Sequence, residues 1–145
     1  MNRCPTCSQP TDKQKIHINS LMVTALLKAY RHGVRHRVHS LRIRDLDLTR
    51  SEYGMMSCLI TFGLLYRTPL MKKGEYGIPY QRVHDFIVGQ YKVPAYYLTN
   101  PTTGERELSF DRITIDQVKN VSDIQDLYGD CMTEFLPQEV DLNYI

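Results

Sequence analysis

The most strongly patterned segment of the chain is residues 49–63, TRSEYGMMSCLITFG. Thr49 and Glu52 have the Thr-x-x-Glu spacing of a capping box, in which each side chain accepts a hydrogen bond from the other residue's backbone N–H. Gly63 stands where a helix commonly ends on a left-handed residue. The segment therefore predicts a helix that begins after Thr49 and ends before Gly63.

This predicted helix has two faces of different character. Its apolar side chains share one side at helical spacing and predict a face in the core: Met55, Met56, Leu59 and Phe62. The opposite stripe is polar and predicts an accessible face: Arg50, Tyr53, Gly54, Ser57 and Thr61. One face is expected to pack and the other to be available for binding.

The residues after this helix predict a strand, a basic turn and a second strand. Residues 64–68 are an apolar strand-like run, Lys72-Lys73-Gly74-Glu75 is a turn, and Tyr76 and Ile78 suggest the returning strand. A capped helix followed by this arrangement is typical of a winged helix-turn-helix. We therefore predict an α+β fold, a winged helix-turn-helix with an additional helix and a C-terminal β-hairpin.

Further elements flank this unit. Asn19 or Ser20 is suited to cap a central helix over residues 21–30 that ends near Gly33. Residues 35–43 suggest a short strand or an irregular connection, and residues 42–48 allow a short helix instead. Four more elements are predicted in chain order: a helix over residues 80–88 stopped by Gly89, a hairpin of residues 96–98 and 106–110, an added strand within 113–118, and a short helix over 122–127.

The chain of 145 residues is long enough for one hydrophobic core. We divide it into a knuckle and linker at 1–18, a winged-helix domain with its hairpin at 19–121, and an acidic tail at 122–145. No apolar run approaches the roughly 18 residues that span a membrane, and no secretory signal is visible, so a cytoplasmic protein is expected. No catalytic motif is evident either, so we do not expect an enzyme.

Charge is distributed unevenly along the chain. Residues 1–50 hold ten Lys or Arg against three Asp, whereas residues 107–145 hold two basic against nine acidic side chains. Clustered cations displace counterions from phosphates, so this pattern favours a polyanionic partner. The alternative interpretation is that the two halves pair with each other.

Cys4 and Cys7 form a Cys-x-x-Cys pair whose spacing lets two thiolates bind one zinc ion. A structural zinc site normally needs four ligands, and the sequence contains no second pair. His17 is the nearest third candidate, and a fourth ligand would come from a distant histidine or from a second chain across a two-fold axis. Zinc bound by Cys4 and Cys7 is one hypothesis, and the alternatives are a metal-free turn and a degenerate knuckle.

Several of these segments together resemble a group of uncharacterised phage and prophage proteins that begin with a Cys-Pro-x-Cys knuckle and continue into a winged helix. The likeness extends over about the first 110 residues and leaves the acidic tail outside. It is carried by five segments: Cys4-Pro5-Thr6-Cys7, Leu26-Leu27-Lys28-Ala29-Tyr30, Leu48-Thr49-Arg50-Ser51-Glu52-Tyr53, Gly63-Leu64-Leu65 and Val93-Pro94. The resemblance implies a phage origin, a bacterial host and a DNA-binding or regulatory role.

A winged helix that reads duplex DNA would place the helix beginning at Arg50 in the major groove. Arg50 is the best candidate for a base contact, because a guanidinium bonds guanine in a bidentate manner. The remaining candidates are Tyr53, Ser57 and Thr61 on the same stripe, and Arg42, Arg44, Lys72 and Lys73 for backbone phosphates. A homodimer on DNA is one expectation. The alternative is an interaction module that grips a host protein through the winged helix or the hairpin around Pro101.

Overall fold

The computed structural model describes residues 14–118 and Asn120, which form an α+β fold. Within these residues the helices are α1 (Ser20–His36), α2 (Arg50–Tyr53), α3 (Met56–Thr61) and α4 (Tyr80–Ile87). The strands are β1 (Gln14–His17), β2 (Ser40–Arg42), β3 (Glu75–Gly77), β4 (Val93–Pro94), β5 (Tyr96–Thr99), β6 (Arg106–Leu108) and β7 (Arg112–Ile113). In this part of the chain, no helix combines the length and apolar character needed to cross a membrane. The helix predicted over 122–127 and the acidic tail lie outside the described residues.

The long helix α1 is the centre of the core. The Asn19 side chain caps it by accepting a hydrogen bond from the Met22 N–H at 3.1 Å, as predicted. The prediction that α1 ends near Gly33 is wrong, because the helix continues to His36 and ends at Arg37, whose φ is 51°. Gly33 is instead an interior residue that lets α1 approach Ile78 and Tyr80 closely. Its lack of a side chain serves packing rather than termination.

The helix predicted over residues 50–62 is interrupted. The capping box is present, with the Thr49 hydroxyl accepting from the Glu52 N–H at 3.2 Å and the Glu52 carboxylate accepting from the Thr49 N–H at 3.1 Å. At Gly54 the helical hydrogen-bonding pattern becomes tighter. The Met55 N–H donates to Glu52 O, which is three residues back, at 2.9 Å. Glycine is a weak helix former, which favours a break at this point. Most of the predicted faces are confirmed, with Met55 and Thr61 half-buried instead of buried and exposed, and Gly63 follows with φ of 80°.

A small antiparallel sheet stands beside this interrupted helix. Strand β2 pairs with β3, placing Leu41 opposite Tyr76, and confirms the short strand predicted within residues 35–43. The alternative short helix over residues 42–48 is reduced to one 3-10 turn at Ile43–Asp45. The strand predicted over residues 64–68 is reduced to a single bridge between Tyr66 and Gly77. Leu64 and Leu65 are buried in the core rather than paired. The 67–74 loop connects Tyr66 to β3.

The hairpin predicted near the C-terminal end is confirmed as β5 and β6, joined by residues 100–105. The other edge of β5 pairs with β1, which lies in the segment predicted as linker. The sheet order is therefore β1-β5-β6. The Tyr97 ring packs on Phe62 with centroids 5.2 Å apart, which fixes the sheet against the end of α3. The strand expected within 113–118 consists of β7, paired with β4, followed by a 3-10 turn at Ile115–Gln117. Helix α4 and the stop at Gly89 agree with the prediction.

Candidate nucleic-acid interface

Five of the eight residues predicted to contact DNA line one surface cleft of about 410 Å³. We name this the basic cleft, and its lining residues are Arg42, Ile43, Arg44, Tyr53, Lys72, Lys73 and Gly74. Four of these carry a full positive charge, and none of the seven is acidic. The pairing of β2 with β3 brings the two arginines beside the loop that holds the two lysines. The cleft is therefore suited to an anionic ligand.

The carboxylate that lies opposite Arg42 on the sheet is already hydrogen-bonded on both oxygens. Glu75 lies opposite Arg42 in the β2–β3 register. Its Oε1 accepts from the Lys72 N–H at 3.1 Å, and its Oε2 accepts from the Ser40 hydroxyl at 3.2 Å. Glu75 therefore braces the loop backbone against β2, which holds Lys72 and Lys73 in position beside the arginines.

The other predicted contact residues are divided between the two helical pieces. Arg50 on α2 and Ser57 on α3 are exposed, and both lie outside the lining of the basic cleft. Tyr53 is 55% exposed and joins the polar face of α2 to the cleft. A ligand in the cleft therefore lies next to the start of the interrupted helix.

Thr61 is a predicted contact residue whose hydroxyl already takes part in a hydrogen bond within the fold. Its hydroxyl accepts a hydrogen bond from Arg106 of β6, which ties α3 to the hairpin. The Arg106 guanidinium also lies 5.3 Å from the centroid of the Tyr97 ring. Burial and the hydrogen bond from the Tyr97 hydroxyl to Cys58 raise the pKa of Tyr97 to about 12, so the phenol is neutral. We assign Thr61 to this internal contact.

A partly buried ion pair fixes the start of the interrupted helix to α1. Lys28 Nζ lies 2.6 Å from Glu52 Oε1 and 3.1 Å from Oε2, and it also donates to Asp47 O at 2.8 Å. Glu52 is 4% exposed and is at the same time the second half of the capping box. Burial alone would raise the pKa of the Glu52 carboxyl, but hydrogen bonds from Lys28 and Thr49 outweigh it, and the pKa lies below its ordinary value. The Lys28–Glu52 ion pair therefore helps to hold Arg50 and Tyr53 in position.

A second cleft, of about 380 Å³, runs along the C-terminal half of α1. Its lining mixes both signs of charge: Lys28, Arg31, His32, Arg35, His36, Asp45, Leu46 and Asp47. The rings of His32 and His36 stack with centroids 4.3 Å apart. Burial and the neighbouring His36 lower the pKa of His32, although Asp45 opposes this. With two aspartates in its lining, this cleft is less suited to phosphate than the basic cleft.

The proposed zinc ligands Cys4 and Cys7 lie outside the described residues. Among residues 14–118 and Asn120, no group of three His, Cys, Asp or Glu side chains is placed to hold a metal ion. His17, the suggested third ligand, is exposed on β1 with its ring 5.4 Å from that of Tyr96. Zinc at Cys4 and Cys7 stays a prediction.

Two exposed apolar sites escaped the sequence interpretation. Leu70 in the 67–74 loop is 95% exposed, and Phe110 beyond β6 is 102% exposed, with Leu108 at 46% nearby. Leu70 stands in an irregular stretch, where periodicity gives no signal. Phe110 was predicted to end the second strand of the hairpin, but β6 ends at Leu108 and leaves it outside the sheet. The Thr-Pro-Leu sequence at 68–70 is the one hint, since proline favours the second position of a tight turn.

The surface around the basic cleft therefore combines four cations, an accessible tyrosine and a projecting leucine, and these features are the basis for assigning a ligand. Comparison of the whole chain with protein-family models, curated proteins and solved structures finds no match.

Proposed function

We propose that this chain is a DNA-binding protein of the winged helix-turn-helix type that acts as a transcriptional regulator in the cytoplasm of a bacterial host. The observation that carries the proposal is the basic cleft, where Arg42, Arg44, Lys72 and Lys73 surround one hollow without an acidic neighbour in its lining. Phosphates of a duplex backbone are the ligands that such a cluster suits best. The protein has a binding role and no catalytic one.

The order of elements supports the same proposal. A helix, a strand, a second helical region, the Tyr66–Gly77 bridge, a basic loop and a returning strand follow one another, with β3 between β2 and Tyr66. In a winged helix the loop between the last two strands is the wing, which corresponds here to the 67–74 loop. Arg50 and Ser57 are the exposed candidates for base edges, and the cleft residues position the backbone.

The first prediction concerns binding to duplex DNA of random sequence, measured by fluorescence anisotropy over a salt series. We expect affinity to fall steeply with salt, because binding releases counterions. The double substitution Lys72→Ala/Lys73→Ala should reduce the slope of log affinity against log salt by about 2, roughly 1 for each lysine that no longer meets a phosphate.

Lys92→Ala/Arg112→Ala is the matched control, because it removes the same charge from exposed positions outside the basic cleft. Its slope should stay close to that of the unaltered protein. Absence of salt-dependent binding by the unaltered protein, or an equal loss in both double variants, would refute the proposal.

A second candidate function is an interaction module for a host protein, and the exposed hairpin site favours it. Phe110 and Leu108 place apolar surface on and beyond the edge strand β6. If this function is the correct one, Phe110→Ser should abolish a stable complex in pull-downs from host lysate, and Leu70→Ser should leave it intact. The same protein would then be indifferent to DNA across the salt series. A complex that survives Phe110→Ser would count against the hairpin as the docking site.

A further inference from the structure

The 67–74 loop is braced so that it presents one apolar side chain at its tip. The Met71 N–H donates to Thr68 O at 3.0 Å, which closes a four-residue turn with Pro69 and Leu70 at its centre. Arg67 Nη2 donates to Lys72 O at 3.1 Å and ties the two sides of the loop together. Proline fixes one backbone angle of the turn. Leu70 is thus held outward before any ligand arrives.

The exposure of Leu70 is combined with surrounding positive charge. The side chain is 95% exposed, while Arg67, Lys72 and Lys73 are exposed in the same loop. A single exposed leucine is ordinary on a protein surface. An exposed leucine on a braced turn, with cations on both sides and two of them lining the basic cleft, has a more specific chemistry. Its natural partner is an apolar surface enclosed by phosphates.

The stacked base pairs of a duplex provide that surface. Proteins that bind the minor groove insert apolar side chains between base steps and bend the duplex away. We propose that Leu70 is such a wedge, and that the protein bends the DNA it binds. This inference rests on the proposed DNA-binding function and adds to it the deformation of the duplex and the residue responsible.

The energetics make the wedge depend on the basic cleft. Unstacking a base step costs about as much as burying a leucine side chain gains, so insertion alone is close to balanced. Phosphate contacts by Lys72 and Lys73 next to the insertion point tip this balance. Because the loop is already ordered, little conformational entropy is lost when it binds. The protein should favour sites with a flexible pyrimidine–purine step at the insertion point, since those steps kink most easily.

The test uses the full chain and a short duplex that carries a fluorescence donor and acceptor at its two ends. Energy transfer should rise on binding, corresponding to a bend of about 20 to 90°. Leu70→Ala should abolish the rise while leaving the salt slope unchanged and changing affinity little, because insertion alone is close to balanced. Leu70→Met should retain the bend. Phe110→Ala is the matched control, because it removes an equally exposed apolar side chain elsewhere, and it should bend DNA like the unaltered protein.

Two results overturn the wedge while leaving the DNA-binding proposal intact. One is salt-dependent binding by the unaltered protein without a bend, and the other is an undiminished bend in Leu70→Ala. Absence of salt-dependent binding by the unaltered protein overturns both proposals together. Equal thermal midpoints of the Leu70 variants and the unaltered protein will confirm that the fold is unchanged.

Discussion

Lys28→Met should lower the free energy of unfolding by about 3 kcal/mol at neutral pH, the lower end of the range for breaking a buried ion pair. The substitution removes the cation that contacts both oxygens of Glu52 and leaves that carboxylate 4% exposed. The cost is placed at the lower end because the Lys28 side chain is itself 27% exposed. Urea unfolding followed by circular dichroism will measure it. Lys92→Met, at an exposed lysine, is the control and should change stability by less than about 0.5 kcal/mol.

The same pair predicts a pH dependence with a defined sign. In the folded protein the pKa of Glu52 lies below its ordinary value of 4.5, so the native state binds fewer protons than the unfolded chain. The contribution of the pair is therefore fully present above pH 4.5 and is lost as pH falls through the folded pKa. In Lys28→Met, burial of the carboxyl without its cation should remove this acid-induced loss. An equal loss in both proteins would show that Glu52 is not its source.

Gly33→Ala should destabilise the protein by about 3 kcal/mol, because overpacking and a disturbed buried hydrogen bond act together. A Cβ atom at this position would overlap the Tyr80 hydroxyl and lie 2.7 Å from Ile78 Cδ1. The hydroxyl cannot easily retreat, because Tyr80 is buried and donates to Val38 O. A lowered urea midpoint with an unchanged denaturant slope is the expected observation.

Gly54→Ala is the control for this substitution. At Gly54 the backbone is helical, and a Cβ would meet only Ser51 O, at 3.6 Å. Alanine should therefore stabilise the protein by about 0.5 kcal/mol. In the Gly33→Ala background, Tyr80→Phe should recover part of the loss, because it removes the overlapping oxygen. Full additivity of these two substitutions would contradict a direct clash.

Signals confined to a few neighbouring residues were sufficient to predict much of the fold. The capping box of Thr49 and Glu52 and the cap at Asn19 involve side chains within three positions of the backbone groups they satisfy. The hairpin of β5 and β6 is likewise predicted from its turn residues and alternating pattern. Local hydrogen-bonding chemistry therefore identifies where these elements begin and turn.

Features that depend on distant partners were missed. Gly33 resembles a helix stop until Tyr80 and Ile78, far along the chain, supply the reason for its small size. Strand β1 has one inward apolar residue, Ile16, which is too little pattern to show a strand without Tyr97 opposite it. Tertiary contacts determine both features, and the sequence next to each of them contains no pattern that predicts it.

The candidate site likewise combines features that local sequence predicts with features that depend on distant partners. Lys72 and Lys73 are recognisable as a basic turn, and Arg42 and Arg44 as a basic stretch, but only the β2–β3 pairing puts them around one cleft. Thr61 follows the polar stripe of its helix, yet Arg106 occupies its hydroxyl from a strand that the helical wheel does not contain. The residue types predicted the chemistry of the site, whereas the β2–β3 pairing determined which residues belong to it.

The pairing of β1 with β5 also sets an order of events during synthesis. Gln14 pairs with Thr99, so the first described strand leaves the ribosome long before its partner exists. Helix α1 and the interrupted helix can meet much earlier, because their contacts span a short stretch of chain. Closure of β1 on β5, which spans most of the domain, is therefore a late step. Until that step, Ile16 and the unpaired edge of β5 are exposed, and such surfaces make a partly folded chain prone to aggregation.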